Sequence, residues 1–478
     1  MRVNKTTENS VILLPNIELL KQIGRIADDS SLRVYLVGGA VRDCILDIPN
    51  YDVDIVVEGD GIKFAKQLKK ELKADSFVAW EKFGTAELTV ENIKLEVATA
   101  RSEKYEKNSR KPTIEPATID LDLKRRDFTI NTLAISLNKE NFGELTDRFN
   151  GMEDISKKVI RTPLKPEETF NEDPLRMLRA IRFSAQLGFE LEPDLIRAIR
   201  KEKERLSIVS QERITAEFLK ILGTAKPSIG IVGLLGSELL DIVFPELIPT
   251  IGVEQIGKYH HKDVFWHTLE VLDNVAKMSE NLDLRFAALV HDIAKPETKK
   301  FKEGKGWTFH GHEVLGTKMV ESIGRRLKLS RKTIKFAKKM TFLHLRPIAL
   351  VNEEVTDSAV RRLIFNAGED VELLMTLCRA DITTKNPERA VQYMKNFELV
   401  EKKIAELLEK DEMKAFQSPV RGEEIMKLLG IEPGKMIGFV KSAIEQAILD
   451  GIIDNDYEAS YKYLMENKER WQNEFKDV

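Results

Sequence analysis

Leu36-Val37-Gly38-Gly39-Ala40-Val41-Arg42-Asp43 and, shortly after it, Asp52-Val53-Asp54-Ile55-Val56-Val57 are the segments from which the fold can be read. In the first, an apolar run beginning at Val34 ends in a glycine pair and then takes on helical spacing. Glycine lets backbone N–H groups approach a phosphate closely, and a helix N-terminus favours the anion. Arg42 adds a cation suited to a charge-assisted contact with a triphosphate. In the second, Asp52 and Asp54 stand two apart in a β-branched run, so both carboxylates leave one face of a strand. Two such carboxylates repel unless a cation sits between them. Mg²⁺, a hard ion that shares its oxygen ligands with phosphates, is the expected occupant. Alone, a Gly-Gly pair is most often a plain turn and an Asp-x-Asp a solvated strand edge. Their adjacency is what makes them a candidate site.

Working outward, Phe64, Ala65, Leu68 and Leu72 recur at helical spacing from Gly61. Ala86–Val90 and Ile93–Val97 alternate apolar and polar residues about the polar turn Glu91-Asn92, which reads as a hairpin. Glu96, on the second of these strands, is a candidate third catalytic carboxylate. The expectation is an α+β chain whose N-terminal head carries a small mixed or antiparallel sheet. After Asn150-Gly151 the apolar residues keep helical spacing, with Gly188, Pro193, Pro227, Pro245 and Pro296 as punctuation. The rest reads as all-helical. Boundaries are placed to give a head at 1–150, a neck at 151–250, a third domain at 251–395 and a tail at 396–478.

The chain has 478 residues, 42% of them hydrophobic and 32% charged, which fits a soluble, helix-rich protein of several domains. No apolar run is long enough to span a bilayer, and the first residues lack the pattern of a secretion signal. Two cysteines, Cys44 and Cys378, lie far apart, which argues against a disulfide framework and for a reducing, cytoplasmic setting. The net charge of −3 means that a nucleic-acid enzyme would need a local basic surface. The stretch Arg101–Arg126, with Lys104, Lys107, Arg110, Lys111, Lys124 and Arg125, is a candidate.

Several motifs together resemble the class II tRNA nucleotidyltransferases and bacterial poly(A) polymerases. They are V-G-G-A-V-R-D with D-V-D, then Lys124-Arg-Arg-Asp-Phe-Thr-Ile-Asn131, Asp147–Arg161, Glu172-Asp-Pro-Leu-Arg176 and Ser210-Gln-Glu-Arg-Ile214. The resemblance implies that Asp52, Asp54 and Glu96 are catalytic, the first two holding Mg²⁺. It implies nucleotide binding by Gly38, Gly39, Arg42, Arg126, Asp127, Arg179 and Arg182, with Asp173 and Arg176 as the pair that selects C and then A. Asp offers acceptors and Arg donors, so such a pair can read a base edge. In the sequence, Pro174 opens a helix, Asp173 and Arg176 share a face, and Arg179 and Arg182 continue the stripe. One departure is Asn131-Thr-Leu-Ala134, where the family often has N-A-M-A. This segment is expected on a buried helix face, with no effect on chemistry.

All seven histidines lie between His260 and His344. The segment Arg285–Pro296 reads as a helix ending at the proline and delivering His291 and Asp292 together; His267, His310, His312, His344 and Asp381 complete the series. Nitrogen and carboxylate donors of this kind suit Mn²⁺, Mg²⁺, Ni²⁺, Fe²⁺ or Zn²⁺, and such an ion can activate water. The order resembles the HD phosphohydrolase superfamily, implying His267, His291, Asp292 and Asp381 as metal ligands. His312 and His344 are then candidates for a second metal or for phosphate contacts. The tail around Glu423–Asn455 also resembles that of tRNA nucleotidyltransferases that carry such a domain.

The expected function is template-independent addition of CCA to a tRNA 3′ end from CTP and ATP, releasing pyrophosphate, with an added HD phosphohydrolase or phosphodiesterase activity. Alternatives are a poly(A) polymerase, an enzyme adding only CC or only A, and, in a different class, an HD phosphodiesterase with an RNA-binding head.

Overall fold

The computed structural model describes residues 16–50, 52–104, 113–254, 263–304, 306–352, 356–383, 386–411 and 418–474. Lys107, Arg110 and Lys111 of the basic stretch, and His260 and His261, lie outside the described residues. Two compact units are present: Met1–Thr224 with Ile229–Val243, and Ala225–Ser228 with Phe244–Val478.

The first unit opens with α1 (Ile17–Asp29), β1 (Arg33–Val37), α2 (Gly39–Leu46), β2 (Asp52–Glu58), α3 (Gly61–Glu71), β3 (Ser76–Trp80), β4 (Thr85–Val90) and β5 (Ile93–Thr99). A two-stranded ladder of β6 (Arg101–Lys104) and β7 (Thr113–Pro116), then α4 (Ile119–Lys124), β8 (Leu133–Ser136) and β9 (Leu145–Asp147), complete the head. Seven strands form one mixed sheet in the order β3-β4-β5-β2-β1-β8-β9, with β2 and β5 its parallel pair. The alternation in β4 is met as partly exposed and buried residues in turn. Glu91 and Asn92 both adopt positive φ, the conformation that lets a two-residue turn follow the twist of its strands. Polar Asp60 starts α3 by accepting the Lys63 N–H, and Phe64, Ala65 and Leu68 are buried.

Asn131-Thr-Leu-Ala134 is buried as expected, but it is not a helix. Thr129–Asn131 is a single 3-10 turn and Leu133 begins β8, an interior strand that pairs with β1 and with the edge strand β9. Burial on every side gives an apolar run that carries no period, so helix and strand cannot be told apart there.

Helices follow: α5 (Gly151–Lys157), α6 (Pro166–Glu172), α7 (Leu175–Leu187), α8 (Pro193–Glu202), α9 (Gln211–Leu222), α10 (Pro227–Gly236) and α11 (Leu240–Val243). One two-residue parallel ladder, β10 (Val159–Ile160) with β11 (Glu190–Leu191), interrupts them.

The second unit holds α12 (Val264–Met278), α13 (Leu282–Val290), α14 (Lys295–Thr298), α15 (His312–Arg326), α16 (Arg331–Leu343), α17 (Leu345–Asn352), α18 (Asp357–Ala367), α19 (Val371–Ala380) and α20 (Pro387–Asp411). A small hairpin, Lys300–Lys302 with Gly306–Thr308, is its departure from the all-helical reading. Pro296 does not end the helix before it. That helix stops at Val290, and Pro296 lies in the first turn of α14, where a missing N–H costs nothing. The tail helices α21 (Gly422–Leu429), α22 (Lys435–Leu449) and α23 (Tyr457–Glu474) close over a core that includes Val420, Val440, Ile444, Leu464 and Trp471.

Candidate active site and candidate metal centre

Strand register assembles the first site. Asp54 stands opposite Glu96 and Asp52 opposite Lys94, while Glu96 also stands opposite Glu87 on β4. The carboxylates of Asp52, Asp54 and Glu96 therefore share one sheet face, as the period of two requires. Lys94 is drawn aside to Glu87 at 2.9 Å. Asp52 and Glu96 are exposed and Asp54 half-buried. Burial, and then the neighbouring charge of Glu96, push the Asp54 carboxyl up to about 6, against the pull of Arg126. Three carboxylates this close repel one another, and a cation placed among them would relieve that repulsion.

The glycine turn closes one side. Gly38 has φ 68° and ψ −131°, which a side chain would strain, and its N–H donates to the Leu133 carbonyl. A Cβ there would lie 2.8 Å from Arg126 Nη1 and 3.8 Å from Asp54 Oδ2. The turn, the Arg126 guanidinium and the acidic strand thus meet at one point. Gly39 opens α2, and its Cβ position would meet Arg42 Nη2 at 3.5 Å.

A polar chain ties the remaining cations together. Arg42 is buried; it pairs with Asp43 at 2.7 Å and donates to Asn131 Oδ1 at 2.6 Å. Asn131 Nδ2 donates to Asp127, whose other oxygen takes Arg179 at 2.6 Å. Burial alone would raise the Asp127 carboxyl, but the Arg179 charge and the hydrogen bonds from Asn131 and Arg179 outweigh it and hold it at about 2. Arg126 and Arg125 both turn to the fully buried Asp122, and Arg101 Nη1 donates to the Phe83 carbonyl. The described arginines of the basic stretch are thus turned to internal partners. Arg182 pairs with buried Glu217 and stacks on the Phe183 ring at 4.1 Å.

Asp173 and Arg176 do not lie three apart on one helix. Asp173 ends α6, and its side chain accepts from the Leu175 N–H and from Arg213 at 2.8 Å. Arg176 is buried, bonded to Glu172 at 2.7 Å and to the Arg125 carbonyl at 2.6 Å. Both still line the same open cleft of about 1450 Å³, as do Asp52, Asp54, Glu96, Gly38, Gly39, Arg42, Arg126, Asp127, Arg179 and Arg182. Eleven of the lining residues are Arg or Lys and seven Asp or Glu, an excess suited to a polyphosphate.

In the second unit, helix ends converge. His267 is in the first turn of α12; His291 and Asp292 follow α13; His312 opens α15; His344 and Asp381 follow α16 and α19. The Nδ1 atoms of His291, His312 and His344 each face a backbone carbonyl, at 2.8, 2.6 and 2.7 Å, and His267 Nδ1 faces Thr383 Oγ1. A carbonyl only accepts, so in neutral His291, His312 and His344 the proton sits on Nδ1 and Nε2 offers a lone pair toward the centre. His267 Nε2 lies 2.9 Å from Asp381 and 3.5 Å from Asp292 Oδ2, and His291 Nε2 is 3.3 Å from the same Asp292 oxygen. The other Asp292 oxygen is 3.3 Å from His312 Nε2 and 3.6 Å from His344 Nε2. Among the described residues, the buried Nε2 of His291 and Oδ1 of Asp292 have no hydrogen-bond partner, which buried polar atoms rarely tolerate and which a bound ion would relieve. His267, His291 and Asp381 form one ligand group and Asp292, His312 and His344 another. Exposed His310 belongs to neither. Lys295, largely buried, caps Asp292 at 2.5 Å. Burial pushes the His291 imidazole down, but Asp292 and Asp381 outweigh it and raise it to about 10, a measure of how strongly the centre calls for positive charge.

Residues 34–161 match the model of the Poly A polymerase head domain, 188–250 that of the probable RNA and SrmB-binding site of polymerase A, and 264–385 that of the HD domain. A curated relative, the A-adding tRNA nucleotidyltransferase of Deinococcus radiodurans, is 30% identical over 434 residues, 89% of this chain and 93% of that protein. This chain belongs to the tRNA nucleotidyltransferase family. The A-adding tRNA nucleotidyltransferase of Geobacter sulfurreducens is 36% identical over 275 residues, but the match spans 57% of this chain and only 29% of that protein. Among solved structures, a Thermotoga maritima CCA-adding enzyme complexed with tRNA aligns with TM-score 0.58 and 25% identity, covering 95% of this chain and 96% of that one. The family's α+β head and helical remainder are the fold found here. No described helix is long and apolar enough to cross a membrane.

Four residues escaped the sequence reading: Asn131, Asp122, Arg213 and Glu217. Asn131 and Arg213 had a signal, since both lie inside quoted motifs. Asp122 and Glu217 had none; they count only because they are buried beside arginines.

Proposed function

We propose that the chain adds a single A to tRNAs that end in CC. The observation that carries this is the placement of Asp52, Asp54 and Glu96 on one face beside the Gly38 turn, in a chain whose curated relatives over most of its length include an A-adding enzyme. The tRNA 3′-hydroxyl attacks the α-phosphate of ATP, one P–O bond forms as another breaks, and pyrophosphate leaves. Arg42, Arg126, Arg179 and Arg182 hold the nucleotide, with Gly38 and Gly39 admitting the phosphates. Asp173 and Arg176 read the base, and Asp127 orients Arg179. Most of the work is positioning in a preorganised field. The donor set suits Mg²⁺ on Asp52 and Asp54, which when bound would neutralise charge on the phosphates and lower the pKa of the hydroxyl.

A second reading is full CCA addition from CTP and ATP, favoured by the likeness to a CCA-adding enzyme over 95% of the chain. One experiment separates them. Purified protein is given tRNA transcripts ending before CCA or after CC, with CTP and ATP together, and the product 3′ ends are sequenced. The proposal requires A on the CC transcript and no C on the other. C-C-A on the shorter transcript establishes the second reading, and long A tails would make it a poly(A) polymerase.

The division into head, neck, HD domain and tail at residues 150, 250 and 395 is part of the same proposal. So is a hydrolytic role for the second centre, with His267, His291, Asp292 and Asp381 holding a divalent metal and His312 and His344 a second metal or a phosphate. A metal bound there would supply a water of lowered pKa.

A further inference from the structure

Between Ser322 and Asn352 there is no Asp or Glu, in a chain with 78 of them. The same stretch holds Arg325, Arg326, Lys328, Arg331, Lys332, Lys335, Lys338, Lys339 and Arg346. It forms the end of α15, the whole of α16 and α17, and the tight turn in which Lys328 takes φ 56°. Such segregation is not what a net charge of −3 would distribute by chance.

The structure sorts these cations. Arg326 and Lys339 are committed to Glu246 and Asp370. Arg325 and Lys338 share the single acid Glu321, at 2.7 and 2.8 Å. Lys328, Arg331, Lys332 and Lys335 are exposed and make no ion pair among the described residues. Lys328, Arg331, Lys335 and Lys338 line an open groove of about 880 Å³ with Leu329 and Ile334. Arg331, Lys335 and Lys338 stand at i, i+4 and i+7, so they form a row along one face of α16 with steps of about 5–6 Å. That step is comparable with the distance from one phosphate to the next along a nucleic-acid strand. Charges that repel one another in the free protein, held in a row with one carboxylate between them, are arranged for a linear polyanion rather than for a compact anion or a membrane plane.

We propose that the α15–α16 hairpin is a docking surface for the phosphate backbone of structured RNA. It rests on the proposed function in taking tRNA as the RNA concerned. Sequence is not read there: lysine and arginine rows position a helix by its backbone and leave the bases untouched.

The test uses the full chain and a tRNA transcript ending in CC. Lys328→Glu/Arg331→Glu/Lys335→Glu is compared with the parent by fluorescence anisotropy from low to moderate salt, with thermal melting to confirm the fold. The dissociation constant should rise at least tenfold, and the slope of its logarithm against log salt should fall by roughly two to three, three contacts at 0.7–0.9 each. Turnover at saturating tRNA should be unchanged, with the loss confined to KM. If the glutamate variant does not fold, the triple glutamine variant reads the same change in slope. A folded variant with the parent's affinity and slope overturns the proposal. So does equal, charge-sensitive binding of phosphatidylserine vesicles or polyglutamate by the parent, which would make the row a general polyanion patch. A parent that binds tRNA through this row yet adds no nucleotide leaves the inference standing and sinks the proposed function.

Discussion

A methyl group at position 38 is the smallest change that tests the first site. Gly38→Ala would strain a backbone that side chains avoid and press on Arg126 and Asp54 together. The expected cost is about 1–3 kcal/mol of stability, with extension of tRNA reduced at least tenfold; a melting curve and an initial-rate assay check it. Asp54→Asn keeps the shape and removes the charge, and should lower extension by about 10²–10³ without unfolding, the scale for loss of one transition-state-stabilising group. Acid should act through the same carboxyl. Its folded value of about 6 lies above the ordinary 3.8, so protons compete with the cation, and extension should fall as pH drops through 6. The sign for stability is the reverse: this group favours the folded chain below its unfolded value and loses that contribution as pH rises toward 6. Asp127, held at about 2, does the opposite, stabilising above 3.8 and failing as pH falls toward 2. Rates and urea midpoints measured at pH 7, pH 5 and below pH 3 on the parent and Asp54→Asn separate the two carboxyls, the change between 7 and 5 belonging to Asp54 and the loss of stability below 3.8 to Asp127.

At the scale of elements, the reading succeeded where one side of a segment faces water. β4 and β5 alternate because one face of each is covered, and their turn residues announce themselves. It failed at Leu133–Ser136, where every residue is buried, and at Pro296, because proline marks helix starts as well as ends. Strand order was not legible, since which strands pair is decided by long-range packing. The carboxylate triad needed that order, for only the β2–β5 register sets Glu96 beside Asp54. The junction of α6, α7 and α9 was misjudged for a similar reason. Asp173 looks like half of an i, i+3 pair, yet its partner is Arg213, forty residues on, and it stands before the helix. If Asp173 reads the base as proposed, Arg213 would act by positioning it. Arg213→Ala should leave the melting temperature within a few degrees but narrow the preference for ATP over CTP by roughly tenfold, the worth of one good polar contact. Arg213→Lys should restore part of it. The ratio of kcat/KM for the two nucleotides is the readout, and an unchanged ratio would dismiss the role.

For the molecule as a whole, the second centre is as much a fastener as a site. Its six donors come from the ends of α12, α13, α15, α16 and α19, so an ion there would join five helices that otherwise meet through like-facing lone pairs. Asp292 is central, one oxygen toward each ligand group, held well below the usual carboxylate range by Lys295 and His291 although burial pushes the other way. An ion that binds the folded form alone stabilises by about 2.7 kcal/mol at a hundred times its dissociation constant. Chelation should therefore lower the unfolding temperature by several degrees, and Mn²⁺ or Ni²⁺ should restore it, as followed by calorimetry. Asp292→Asn/Asp381→Asn should remove that metal dependence, because the double variant keeps the packing volume while losing the anionic oxygens. Extension of tRNA by this variant with Mg²⁺ should stay within about threefold of the parent, since none of the first unit's cleft is altered. Stabilisation by Mn²⁺ that persists in the double variant would mean the ion is held elsewhere, and the unpartnered Nε2 of buried His291 would need another explanation.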